Sequence, residues 1–465
     1  MKGIDRLREH LVREYRKRTA KSRAAFARAE KVLIGGGSHT IRLWRPYPFF
    51  ASGAEGPLVR DLDGNEYIDY WQGHYANILG HNPPLVRRDI ASWLARGSLH
   101  TGFEAGHQVE LAELIVRRLD GRDLKVRFTT SGTLATMYAV MLAQGWTGRD
   151  LVLKVGGGWH GSSPYLLKGI KYDRQAGFEG RESAGVLGDI LRRTLVTRYN
   201  DGDDLERVFQ RKGDRIACFI VEPFMGVGGF IPASKEYLER ARDLTRRHGS
   251  LLVFDEIVSG FRFAPSGLQT LYGVRPDLSA FGKIIGGGHA VSAVVGDRRI
   301  MEGCERGRSG GGRVLFEGGT FSAHPEYMRA GLMMLGRLAD RAGAIYPRLA
   351  RLGERLRAGI AGAFEAEGID VQCSGAGNEV VPGSSLFMAH FPRRRGPVRS
   401  PRDVLDDGRT DVALREEILK LALLVNGVHV VHGGGAVSYA HGERDIRRTI
   451  EAYGEAARLF RKFLG

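Results

Sequence analysis

Cysteine is scarce in this chain: Cys218, Cys304 and Cys373 are the only three in 465 residues. They lie too far apart for the paired spacings of zinc or redox sites, so no metal centre is expected and disulfides are not what holds the fold together. Cys218 sits inside an apolar run and reads as core. Long hydrophobic runs are missing as well. No segment approaches the ~20 apolar residues of a membrane-spanning helix. The first residues carry no signal-type apolar stretch, and Asp5, Glu9 and Glu14 speak against a transit peptide. A cytoplasmic protein with no membrane association is the expectation. Acidic residues are in deficit, 53 Asp and Glu against 69 Lys and Arg, for a net charge of +16. Such a balance raises the question of nucleic acid. Yet the basic residues are scattered, apart from Arg393-Arg394-Arg395 and the first thirty residues. No recognition motif accompanies them, so no nucleic-acid partner is expected.

What is present is enough apolar material, 43% of the chain, for one large core and a smaller one. Alternating strand and helix patterns from about 75 to 330 predict a mainly parallel sheet with crossover helices, an α/β architecture. Helices are expected from 326 to 367, strand-like pieces near Ser385–His390 and Val428–Val431, and a last helix over Glu443–Leu464. Residues 5–31 read as one basic helix, with Leu7, Leu11, Tyr15, Phe26 and Ala29 near helical spacing, packed on its own fold or on a dimer partner. Residues 393–411, rich in Arg, Pro, Gly, Ser and Asp, read as an exposed loop.

The chemistry gathers at strand ends. Leu251-Leu252-Val253-Phe254 runs into Asp255-Glu256-Ile257, a buried strand delivering carboxylates to its C-terminal edge, where open α/β sheets bind ligands. Phe281-Gly282-Lys283 follows, with the lysine set against glycine backbone and Gly286-Gly287-Gly288 just beyond. A lysine and a strand-borne carboxylate so placed suit pyridoxal 5'-phosphate (PLP). The amine forms a Schiff base, and the carboxylate keeps the pyridine nitrogen protonated. Phe128-Thr129-Thr130-Ser131-Gly132-Thr133 ends a strand and opens a helix over Leu134–Gln144, offering N–H groups and hydroxyls to a phosphate. Lys154-Val155-Gly156-Gly157-Gly158-Trp159-His160-Gly161 is a strand that breaks into glycines and presents an aromatic. Phe219-Ile220-Val221-Glu222-Pro223 is another apolar strand closed by a carboxylate.

In that order these segments resemble the class III aminotransferases and, within that family, the glutamate-1-semialdehyde aminomutases. Further matches are Pro48–Gly53 with Asp61–Tyr70, Leu79–Pro84, Gly318–Pro325, and Ser438–His441 with Asp445-Ile446. The resemblance spans about Val32 to Ala452. It implies the fold type I PLP-dependent transferase architecture: a large domain over 71–330, and a small α/β domain in which residues 1–70 join 331–465. It further implies that Lys283 is the Schiff-base amine and proton shuttle, and that Asp255 pairs with the ring nitrogen. Ile257 presses on one ring face and Trp159 stacks on the other, where relatives have Tyr or Phe. Ser131, Gly132 and Thr133 hold the phosphate, with Thr320 reaching it from the partner of a homodimer. His160 orients its neighbours and Glu222 anchors the region beneath the ring. Arg42, trailing the glycine-rich Leu33–Ile41, binds a substrate carboxylate through its guanidinium fork.

Three departures from the family pattern bear on the reaction. Leu134 stands where relatives have Glu, and Met225 where many have Gln. After Gly427-Val428 the aminomutases carry a Pro-Ser-x-x-Glu segment, whereas this chain runs Val431-His432-Gly433-Gly434-Gly435, about three residues shorter and without glutamate. The region from Gly161 to Asp201, in contrast, keeps an aminomutase-like length and a Ser183-Ala184-Gly185-Val186 echo of its gating loop. The expected activity is transfer of an amino group from a donor amino acid to a carbonyl acceptor through pyridoxamine phosphate. Aminomutase activity and racemisation or epimerisation are the alternatives.

Overall fold

The computed structural model describes residues 2–97, 102–119, 123–307 and 312–465. Seven short apolar runs form its principal sheet: β1 (Leu124–Thr129), β2 (Leu151–Val155), β3 (Thr194–Thr197), β4 (Ile216–Val221), β5 (Leu251–Glu256), β6 (Leu278–Phe281) and β7 (Ser292–Asp297). Their order across the sheet is β1-β7-β6-β5-β4-β2-β3. All are parallel except β7, which runs against both β6 and β1. Every residue of β4 and β5 is buried, as expected where crossover helices cover both faces of a parallel sheet.

Register decides which side chains meet. Asp255 lies opposite Ala280 and Glu256 opposite Phe281, so the residue two places beyond Phe281 emerges beside the carboxylate end of β5. Phe254 pairs with Val221, which brings Glu222 to the same edge. Lys154 pairs with Ile220, so the glycine run after β2 leaves there too. Thr129 pairs with Ser292 at the start of β7, adding the turn after β1. Five segments, far apart in the chain, therefore converge on one edge.

The first seventy residues cross to the other end of the chain. Strands Ala51–Glu55, Leu58–Asp61 and Glu66–Asp69 are antiparallel, and Val428–His429 adds in parallel, with Ile68 opposite Val428. Asp69 locks the junction by accepting from His429 Nδ1 at 2.7 Å and His81 Nε2 at 2.8 Å. Those bonds hold its carboxyl well below the usual range, although burial opposes them. A second sheet joins Gln372–Ser374, Leu386–His390 and Gly434–Ala436. Helices Ala342–Glu365 and Glu443–Leu464 pack on each other. The former buries Leu349, Leu352, Leu356, Ile360 and Phe364, a stripe at helical spacing.

Several expected elements need adjustment. The N-terminal helix breaks at Thr19 into Lys2–Arg18 and Ala20–Ala29, and the Thr19 hydroxyl back-bonds to Tyr15 O at 2.7 Å. Leu7, Leu11 and Tyr15 are buried, and the first helix lies against Lys420–Val425 and Glu443–Leu464 of its own chain. The stretch 326–367 is two helices, Pro325–Asp340 and Ala342–Glu365. The 393–411 loop contains a short helix, Pro401–Leu405, capped by Ser400 and Asp403 and burying Pro401 and Val404. Among the described residues no helix is long and apolar enough to cross a membrane.

Candidate active site

Lys283 stands where β6 ends. Its φ of 49° is left-handed, a strained conformation for a residue with a Cβ, and such strain concentrates at working sites. The side chain is half-buried. Burial pushes its amine down to about 8, against the upward pull of the Asp255 and Glu222 carboxylates and helped by the Arg262 charge. The glycine ahead of it is required by space. A Cβ on Gly282 would sit 2.7 Å from Ser292 Oγ and 3.0 Å from Ile257 Cδ1, and one on Gly132 would lie 3.1 Å from Ile257 Cγ2. Ile257 thus fills a slot between the lysine turn and the opening of the helix Gly132–Thr147.

Asp255 and Glu256 face opposite ways, as alternation along a strand demands. Asp255 Oδ2 accepts from His160 Nδ1 at 2.7 Å, and Oδ1 accepts from Ile257 N at 3.0 Å. Since a carboxylate only accepts, His160 carries its proton on Nδ1. Burial drives the imidazole pKa down despite the carboxylate. His160 O in turn accepts from Thr136 Oγ1 at 2.6 Å, which ties this segment's backbone to the helix Gly132–Thr147. Glu256 turns away and accepts from Leu268 N at 2.7 Å and Gln269 N at 3.2 Å, a structural role. Glu222 accepts from Trp159 N at 3.1 Å and Gly226 N at 2.8 Å. Burial and the Asp255 charge push its carboxyl up.

The helix Gly132–Thr147 opens with Ser131 as its cap, the hydroxyl accepting from Leu134 N at 3.3 Å. It starts two residues earlier than expected, so Gly132 and Thr133 are its first turn, whose N–H groups have no intrahelical acceptor. Thr133 Oγ1 accepts from Ser162 N at 3.2 Å, joining the cup to the loop that carries Trp159. Trp159 itself is 37% exposed.

Arg42 and Thr320 stand apart from this cluster. Arg42 is exposed and donates from Nε to His74 Nε2 and from Nη1 to Ser38 Oγ, both at 3.3 Å. His74 is pushed down to about 4 by burial and by the charges of Arg42, His39 and Lys283, so the arginine sits at the rim of the lysine's surroundings. Thr320 is exposed, following Gly318 and Gly319 in left-handed conformations. A Cβ on Gly319 would lie 3.9 Å from Thr130 Oγ1, one residue before Ser131.

Sequence reasoning missed Lys154. It is fully buried, and its ammonium donates to the carbonyls of Gly158 at 2.9 Å, Leu166 at 3.2 Å and Lys168 at 2.9 Å. Burial pushes it down to about 7. It pegs the loop on either side of Trp159, and a charged residue inside Leu151-Val152-Leu153-Lys154-Val155 was the available signal. Arg262 was missed too. It is buried, donates to Val258 O at 2.8 Å and to Tyr75 O, and is held down to about 10 by its burial.

These residues fit PLP. Asp255 uses one acceptor site on each oxygen, leaving room for a ring N–H. The first turn of the helix Gly132–Thr147 offers free N–H groups of the kind that bind a phosphate, and Ile257 packs between Gly132 and Gly282 beside the lysine. Among the described residues no cluster suited to a metal ion forms. An α/β enzyme that uses PLP is the class this fold and site define. Residues 42–372 match the family described as aminotransferase class-III. Glutamate-1-semialdehyde 2,1-aminomutase of Methanothermobacter thermautotrophicus is 37% identical over 435 residues, covering 93% of this chain and 97% of that protein. An omega-transaminase from Sphaerobacter thermophilus superposes with a TM-score of 0.82 at 31% identity, covering 94% of this chain and 97% of that one. A β-phenylalanine aminotransferase from Variovorax paradoxus does so with 0.83 at 30%, covering 97% and 96%. The chain belongs to the class III aminotransferases, PLP-dependent enzymes.

Proposed function

We propose that this enzyme is an aminotransferase that takes an amino group from a carboxylate-bearing donor and passes it to a separate carbonyl acceptor. The observation that carries the reading is the short turn after Val428–His429, where the family resemblance puts part of the substrate wall. Val431 and Gly434 bridge each other across a tight turn, with His432 at φ 56° and Gly433 at φ 73°. His432 Nδ1 pairs with Glu416 Oε2 at 2.9 Å, so its ring is drawn away to the helix beginning at Leu414. The glutamate-bearing segment of the aminomutases has no counterpart in this turn. A mutase must retain its intermediate through both halves of the reaction, which calls for a closed and specific pocket. A shortened wall suits release of one product before the next substrate enters. The transaminases that superpose at 30–31% identity support the same reading.

PLP, when bound, supplies an electron sink for negative charge on the carbon bearing the amino group. The chain's own residues do the rest. The Lys283 amine, near its balance point at neutral pH, moves the proton to and from that carbon. Asp255, held by His160, keeps a proton on the ring nitrogen. Ser131, Gly132 and Thr133 would hold the phosphate, Ile257 and Trp159 would contact the ring, and Arg42 would orient the donor carboxylate. Thr320 completes the cup of a second copy. Supporting that assembly, Phe103 and Val109 line the same groove as Thr320 and Phe321 follows it, at 78, 55 and 59% exposure. Apolar surface of that kind marks an interface.

One observation favours the aminomutase instead: curated relatives at 34–37% identity carry that name. Steady-state kinetics with a panel of amino donors and acceptors decides between the two. Parallel double-reciprocal lines are expected, the signature of a ping-pong exchange. Efficient conversion of glutamate 1-semialdehyde to 5-aminolevulinate without added donor would overturn the reading.

A further inference from the structure

Away from the lysine, the segment after Trp159 and the 393–411 segment face each other across a groove of about 850 Å³. Six arginines line it: Arg174, Arg394, Arg395, Arg399, Arg402 and Arg409. Two carboxylates temper them: Asp403 pairs with Arg409, and Asp406 with Arg402 and Arg409. Arg395 is spent on Asp370 outside the groove at 2.9 Å. Arg174, Arg394 and Arg399 carry no ion pair and no side-chain hydrogen bond among the described residues. Like charges brought together without partners repel, and a concave wall of one sign concentrates counter-ions. The two walls already touch. Arg402 stacks over Tyr172 at 5.1 Å, and a Cβ on Gly408 would lie 3.0 Å from Arg174 Nη2.

We propose that this groove binds a polyphosphate group, free or carried by a nucleotide. Several clustered anionic oxygens match guanidinium forks that converge from two walls, whereas a single phosphate reaches only one or two of them. The occupied groove staples the two walls together. Both walls lean on the glycine run before Trp159: a Cβ on Gly157 would meet Pro401 Cβ at 2.2 Å, and Gly157 N donates to Gly169 O at 2.7 Å. The site is separate from the cofactor's phosphate cup and does not depend on which amino-transfer reaction the enzyme performs.

Isothermal titration calorimetry on the full-length, PLP-loaded enzyme at ~0.1 M salt tests it, with tripolyphosphate, ATP and orthophosphate as probes. Keeping the cofactor bound removes its own phosphate cup from competition. Tripolyphosphate and ATP are expected to bind at least about tenfold more tightly than orthophosphate, and Arg174→Ser with Arg399→Ser to weaken both by about tenfold or more. ATP much tighter than tripolyphosphate identifies a nucleotide as the source; equal affinities identify the bare polyphosphate group. The pair of substitutions lies on exposed side chains and leaves turnover without ligand unchanged. Absence of tripolyphosphate binding, or affinity indifferent to the two substitutions, would overturn the proposal.

Discussion

Replacing His160 by phenylalanine isolates one bond on which the ring nitrogen's partner depends. His160 and Asp255 are 2% and 3% exposed, and the 2.7 Å bond between them is one of two that orient the carboxylate. Phenylalanine keeps most of the ring volume but cannot donate, and Asp255 is left with only the Ile257 N–H. A hydrogen bond to a charged acceptor contributes about 1.5–3 kcal/mol. If that bond is expressed in full where charge develops on the cofactor, kcat falls about ten- to a hundredfold, at about 1.4 kcal/mol per factor of ten. Rapid-mixing absorbance of the donor half-reaction on holoenzyme measures this without interference from acceptor binding. His160→Asn supplies the control, because its amide can donate from near the position of Nδ1 and should restore the rate to within a few-fold of wild type. A His160→Phe rate within twofold of wild type, or equal damage in both variants, would refute the hydrogen-bonding role and leave His160 as packing.

Lys283→Ala should abolish turnover and the absorbance of lysine-bound PLP while leaving thermal unfolding of the protein cooperative; appreciable turnover would remove the lysine from the chemistry. Arg42→Met should raise KM for carboxylate donors by about tenfold, the worth of one charge-assisted fork at an exposed site, and should leave amine donors lacking a carboxylate unaffected; equal effects on both would make Arg42 a surface residue. Lys154 loses its proton at about 7 in the folded chain against 10.5 when unfolded. Between those values the unfolded chain binds more protons, so this group's contribution to stability rises with pH by up to about 1.4 kcal/mol per unit. Urea unfolding should therefore show wild type gaining about 2 kcal/mol on Lys154→Met from about pH 7 to 9, and a constant difference would mean that the folded chain holds this proton as firmly as the unfolded one, which would refute the lowered pKa. Light scattering should report at least a dimer, and a monomer that binds PLP tightly would remove the proposed role of Thr320.

The strand ends were readable because burial and chemistry coincide there. In Leu251–Glu256 and Ile216–Val221 the apolar runs stop at carboxylates, and that stop marks the sheet edge where Asp255 and Glu222 stand. Asp255 was expected from the family resemblance; strand alternation turns its neighbour Glu256 the other way, onto Leu268 N and Gln269 N. Lys154 showed only as a charge inside an apolar strand; its partners are backbone carbonyls of a loop, so its role was not legible from side-chain patterns. The break at Thr19 was equally silent, since Ser22, Ala29 and the flanking residues keep a helical rhythm across it. The helix at Pro401–Leu405 left a trace: Ser400-Pro401-Arg402-Asp403 is a capping box with proline in the first turn. Its arginine, glycine and proline surroundings outweighed that signal. The turn at Val431–Gly434 was visible as a shortening, but its closure onto Glu416 needed the three-dimensional neighbour.

The parallel pairing of Glu66–Asp69 with Val428–His429 has a consequence for how the polypeptide is made. Asp69 and His429 are 360 residues apart, so at about 5–20 residues per second the early strand waits roughly 20–70 s for its neighbour during translation. All seven strands of the principal sheet lie between Leu124 and Asp297 and leave the ribosome well before that neighbour does. The platform bearing Lys283 can thus assemble while Leu7, Leu11 and Tyr15, whose resting place is on helices near the other end of the chain, are still exposed. Long-range closure of this kind is slow and leaves apolar surface and a strand edge open to other nascent chains. Substitutions at Asp69, His81 or His429 should therefore show themselves first as poor yield of folded protein, with the molecules that do close retaining their turnover.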